Sequence, residues 1–175
     1  SILRQAVVVR KLYDNIVSYL SSLFSSGSMT EEQATQTAGM MYILSDIERA
    51  DALCTEATES LQSILEKKHK LSPEAVEDLC RGLQIIEDMY QNVLEVIRTG
   101  NGEDARKIVH KKDNVLDLTL KLRKNHMKRV KQGACDAEMT SDFTRILHSF
   151  DRIGNSCANI ADAALTGVSF ESVLK

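Results

Sequence analysis

Tryptophan is absent from this 175-residue chain, aromatic residues make up 5% of it, and it holds one proline and eight glycines. Sheet domains draw on β-branched and aromatic side chains and on many turn residues, so this scarcity argues against a β-fold. No uninterrupted apolar run approaches the roughly 18 residues of a membrane-spanning helix, and no secretory leader pattern is present. The cysteines Cys54, Cys80, Cys135 and Cys157 form no C-x-x-C pair, which removes the usual zinc-knuckle and dithiol spacings. They read as reduced, packed thiols of a cytosolic protein. A net charge of −3 gives no global attraction to nucleic acid. No nucleophile triad is visible. Gly100-Asn101-Gly102 lacks the lysine and the preceding strand of a phosphate loop, and reads as a helix stop followed by an N-cap.

The chain is rich instead in Leu, Ala, Glu, Lys and Met, all good helix formers. Its length suits one domain, or two fused halves of one fold. Five helical stretches are expected. The first runs from about Leu3 to Phe24, with Val8, Leu12, Ile16, Val17 and Leu20 at helical spacing, and stops at Ser25-Ser26-Gly27-Ser28. The second begins at Thr30, where Thr30-x-x-Gln33 forms a capping-box pattern, and continues to about Lys68. Ser72-Pro73-Glu74 opens the third, an N-cap serine before a proline at the first helical position, and Thr99-Gly100 closes it. The fourth spans about Glu103 to Lys131, with acids at its start and Lys128, Arg129 and Lys131 at its end, as the helix dipole favours. Gly133 breaks it, and the fifth runs from near Asp136 to about Leu165, before Gly167. Short links between long helices imply an antiparallel bundle.

An internal repeat stands out. Ile43–Cys54 aligns without gaps on Ile146–Cys157, so that Ile-Leu, an acid-Arg pair and a cysteine recur at an offset of 103 residues (Glu48 against Asp151). A fixed offset across a long helix points to duplication of a helical unit. The polar positions that follow, Asp51 and Asn155, lie three and four residues beyond Glu48 and Asp151 and share their faces. Three roles suit the pairs Glu48-Arg49 and Asp151-Arg152: a solvated face with an intrahelical ion pair, a polar tie between the two halves, or a patch of oxygen donors for a hard cation or an iron.

Other chemistries find less support. A di-metal carboxylate enzyme on a bundle needs Glu-x-x-His from two helices, and Glu66-Lys67-Lys68-His69 is the single match, in a lysine-rich stretch. His110, His126 and His148 have no matching partners and read as packing or surface residues. A non-enzymatic role is therefore expected. The fourth helix is locally basic, with Arg106, Lys107, Lys111, Lys112, Lys121, Arg123, Lys124, Lys128, Arg129 and Lys131 against Asp104, Asp113 and Asp117. Such a run is a solvated face or a surface for anionic lipid headgroups. Nucleic acid is not expected as a partner, since no aromatic interleaving or reading motif accompanies the charge.

Asp151-Arg-Ile-Gly-Asn-Ser-Cys-Ala-Asn-Ile-Ala161 resembles the PhoU family signature, and Ile47-Glu48-Arg49-Ala50 resembles its start in the other copy. Asn125–Gly133 is similar to a segment of PhoU-like domains at the C-terminal end of sodium/phosphate cotransporters. The resemblance implies an all-α, PhoU-like antiparallel bundle of two pseudo-symmetric three-helix units, here residues 1–70 and 71–175 of one domain. The first unit would lack one helix, preceding residue 1. The chain opens at Ser1 without Met, in keeping with a piece of a longer protein. The resemblance further implies a regulatory domain on the cytosolic side of the cell membrane, with a transporter domain in cis and a second copy of the chain as expected partners. Family members bind iron or zinc clusters at an acid-x-x-x-Asp motif in each half. Here that motif falls on Glu48 and Ala52, and on Asp151 and Asn155, with Asp51 one residue early; each pair has lost a carboxylate, which weakens any metal site.

Overall fold

The computed structural model describes residues 2–166 and Val168, and the helix break expected at Gly167 lies outside the described residues. Five α-helices account for nearly all of it: α1 (Ile2–Ser25), α2 (Glu31–Glu66), α3 (Pro73–Thr99), α4 (Gly102–Lys131) and α5 (Thr140–Leu165). No strand occurs among the described residues. The all-α expectation holds, and the helix boundaries follow the capping chemistry. Thr30 Oγ1 accepts from the Gln33 amide at 3.2 Å while the Gln33 side chain accepts from the Thr30 amide at 3.0 Å. The Ser72 hydroxyl accepts from the Ala75 amide at 3.2 Å, one residue before Pro73 opens α3. Gly100, at φ +69°, takes the left-handed conformation that ends α3, and the Asn101 side chain then caps α4 through the Glu103 and Asp104 amides.

One boundary differs. The fifth α-helix starts at Thr140 rather than near Asp136, after a short 3-10 turn at Ala137–Met139. Asp136 is otherwise engaged. Its carboxylate accepts from the Lys70 amide at 2.6 Å, and its own amide donates to the Lys70 carbonyl at 3.1 Å. That reciprocal pair fastens the α4–α5 loop to the α2–α3 loop, and the chain must stay extended to make it.

Helix α5 is the centre of the molecule and packs against α2, α3 and α4, while α3 packs on α4 and α1 rests on α2. Phe143, Leu147, Cys157, Ile160 and Ala161 of α5 are fully buried, at helical spacing that wraps much of its circumference. Around them lie Ile43 and Ile64 of α2, Met89 and Val93 of α3, and Leu122 of α4, all at 0% exposure. Each such side chain contributes about 1.5–3 kcal/mol through burial. The helices approach closely where residues are small: a Cβ added to Gly82 would meet the Phe150 ring at 2.8 Å, so α3 seats on α5 only because that position is bare.

The repeat and the packing share one geometry. Asp46 Oδ1 accepts from Asn159 Nδ2 at 3.3 Å, and Ser63 donates to Asp142 at 2.7 Å. Both contacts obey the same antiparallel register between α2 and α5. Carried along the helices, that register sets Asp51 opposite Gly154, and these two are also repeat counterparts. The duplicated segments are thus related by a local twofold axis near that point.

Candidate binding groove and the repeat-derived polar residues

Helix α1 buries Leu20 and half-buries Tyr13, Val17 and Leu23 against α2. Further up, the two helices leave an open groove of about 500 Å³ lined by Ala6, Val7, Arg10, Lys11, Asp51, Ala52 and Thr55. The Arg10 guanidinium reaches across it to Glu48 at 2.7 Å. Burial pushes the Asp51 carboxyl above its usual range; Arg10 opposes the shift and Glu48 adds to it. Asp51 thus lines the groove with Arg10 and Lys11, and Glu48 is joined to it through the Arg10 bond, so both acids act on one arginine.

The acid and the arginine of each repeat do not bond to one another, although Arg49 does form an ion pair within its own helix. Glu48 and Arg49 do not pair with each other, because adjacent helical residues point about 100° apart. Glu48 turns to Arg10 of α1, and Arg49 approaches the buried Asp46 at 3.9 Å. In the second copy Asn155 Nδ2 donates to the Asp151 backbone carbonyl at 3.0 Å, and Arg152 is exposed. Neither Asp151 nor Arg152 has an ion-pair partner among the described residues. Nor do these four residues tie the halves together; Asp46–Asn159 and Ser63–Asp142 do that.

The donor set does not suit a multinuclear iron or zinc site. Glu48 is held by Arg10, Ala52 supplies no ligand, and the Asn155 amide is turned onto its own helix backbone. Among the described residues no three His, Cys, Asp or Glu side chains are placed to hold a metal ion. Glu66 and His69 are not a helical pair either, since α2 ends at Glu66 and Lys68 has φ +53°. The repeat-equivalent Cys54 and Cys157 lie close enough to influence one another. Burial first, then Cys54, pushes the Cys157 thiol up to about 12, so it stays protonated and inert.

A second polar cluster carries no recognisable motif. Arg129 of α4 donates to Asp78 of α3 at 2.8 Å, and Asn125 donates to the same carboxylate oxygen at 3.4 Å. One turn away, His126 is fully buried, its ring stacked on Phe143 with centroids 4.1 Å apart and Nε2 3.2 Å from the Thr140 hydroxyl. Its one sequence signal is the i, i+4 spacing of Asn125 and Arg129, with His126 beside them in a basic run. The cluster fastens the ends of α3, α4 and α5.

His126 makes the fold sensitive to acid. Burial, and then Arg129, hold its imidazole below the ordinary histidine range. The unfolded chain takes up this proton near pH 6.5 while the folded chain resists it. Stability from this group is therefore complete above about pH 6.5 and declines as pH falls below it, by at most about 1.4 kcal/mol per pH unit. Urea midpoints at pH 7.5 and pH 5.0 should show wild type losing more stability than His126→Gln, whose midpoint lacks this contribution; equal losses would refute the assignment.

These features define a helical bundle in which the buried Asp46, Asp78, His126 and Asp142 each bond to a side chain of another helix. Residues 79–164, from within α3 to the end of α5, match the family model of the PhoU domain, a likeness that agrees with the all-helical bundle. A search of curated proteins returned no match.

Proposed function

We propose that the protein is a non-enzymatic regulator of phosphate uptake that works at the cytosolic face of a sodium-dependent phosphate transporter. The PhoU-domain match over residues 79–164 carries this reading. It is supported by the duplicated bundle, by the resemblance of Asn125–Gly133 to transporter-linked domains, and by polar clusters that brace helices. The transporter domain would lie in cis.

The decisive experiment uses the complete open reading frame in cells lacking their own phosphate uptake. An apolar multi-helix region upstream of Ser1, together with sodium-dependent phosphate uptake whose rate changes severalfold when residues 79–164 are deleted, is the expected result. A start methionine a few residues before Ser1 would leave a stand-alone regulator and remove the transporter reading. Uptake that is indifferent to the deletion would remove the regulatory one.

A further inference from the structure

The outer face of α4 joins two properties that the sequence alone did not show together. Leu116, Leu120 and Met127 are 44%, 51% and 42% exposed, and their spacing of four and seven residues sets them in one stripe along the helix. The face opposite, with Val115, Leu122 and His126, is buried against the bundle, so the stripe points outward. Lysines flank it. After Asp117 every charged residue of α4 is basic, and Lys121, Arg123, Lys124, Lys128 and Lys131 are all exposed. None of these five has an ion-pair partner among the described residues, in contrast to Lys107, which is held by Glu103 and Asp104, and Arg129, which is held by Asp78.

We propose that the C-terminal half of α4 is a docking face for an anionic lipid surface, with Leu116, Leu120 and Met127 reaching into the headgroup–acyl boundary and the flanking lysines meeting lipid phosphates. The combination selects this partner. A nucleic acid would use the charge and leave the leucines in water. A neutral protein groove would use the leucines and strand unpaired lysines beside them. An anionic bilayer takes both, because lysine stems lie along apolar surface while their ammonium groups remain at the interface. Asp113 and Asp117 lie upstream on α4, so the contact is strongest towards Lys131; Asp136 beyond the helix is already held by Lys70. This inference stands apart from the transporter reading, since it asks only for a bilayer.

Vesicle sedimentation tests it on the full chain. Vesicles of phosphatidylcholine with 30% phosphatidylglycerol should pellet the protein at low salt, and pure phosphatidylcholine should not. Each lysine among Lys121, Lys124 and Lys128 changed to Gln should weaken partitioning about fivefold, the ratio for a basic side chain near an anionic surface. Leu120→Ser with Met127→Ser should weaken it further and leave the helical circular dichroism unchanged, since both side chains are exposed. Absence of binding to anionic vesicles would overturn the proposal. So would binding that survives the lysine substitutions. Equal affinity for duplex DNA or polyglutamate, with no effect of the Leu and Met changes, would show a charge patch and overturn it as well.

Discussion

Arg129→Met is expected to lower the unfolding free energy by about 3 kcal/mol, far more than loss of an ordinary surface ion pair. The pair it breaks is nearly enclosed: side-chain exposure is 12% for Arg129 and 9% for Asp78, with nitrogen and oxygen 2.8 Å apart. Removing the guanidinium leaves the Asp78 carboxylate among packed helices with only the 3.4 Å bond from Asn125. The penalty is that of an uncompensated buried charge, not the worth of the contact itself. The wild-type pair is also imperfect, because Arg129 Nε and Nη2 are buried without partners. Replacing both residues, Asp78→Leu with Arg129→Met, should therefore restore most of the loss and bring stability within about 1 kcal/mol of wild type. Urea denaturation of the two single variants and the double variant checks this. A single-variant loss below about 1 kcal/mol, as at an exposed pair, would show that water reaches the carboxylate. Arg10→Ala supplies the contrast: the Arg10 side chain is 57% exposed, and its bond to Glu48 should be worth at most about 1 kcal/mol.

The contrast between these two pairs bears on what the sequence could tell. Helix ends were legible because their causes are local. The Thr30–Gln33 box, Ser72 before Pro73, and Gly100 before Asn101 each act within a few residues and fell where expected. The start of α5 was not legible near Asp136, because the partner that holds Asp136 extended, Lys70, is 66 residues away. The same limit governs the polar residues. The repeat was readable as an offset, and the α2–α5 contacts Asp46–Asn159 and Ser63–Asp142 keep a register in which the counterparts Asp51 and Gly154 fall opposite one another. Yet the partners of Glu48, Asp46 and Arg129 come from α1, α5 and α3, and nothing in their own helices names those partners. The family-like motif falls on Glu48 and Asp151, while the most enclosed ion pair among the described residues lies at Asp78 and Arg129. The fourth helix shows the converse: its basic character was plain in the sequence, but burial was needed to separate Arg129, which is structural, from the five bases that face outward.

Phe143→Ala should be the most damaging apolar substitution near this cluster, costing about 3–5 kcal/mol from lost transfer energy and the cavity left behind. Phe143 is fully buried in the first turns of α5, where three helix ends and the Asp136–Lys70 clasp meet, so neighbouring backbone has little freedom to collapse into the space. For a domain of this size the melting temperature should fall by roughly 10 °C. A second effect separates the specific role of the ring from simple volume. Phe143 covers one face of His126 with planes 14° apart, and without it water reaches the imidazole. The histidine should then titrate closer to its ordinary value, so the variant should lose less additional stability between pH 7.5 and pH 5.0 than wild type does. Phe143→Leu fills most of the cavity but does not restore the stacked ring, and should recover part of the midpoint while leaving this acid response diminished. Phe24, at 41% exposure on α1, is the control: its change to alanine should cost no more than about 0.5 kcal/mol. If Phe143→Ala instead kept the full wild-type acid response, the protection of His126 would have to come from Leu122 and its other buried neighbours, and the ring would be acting through volume alone.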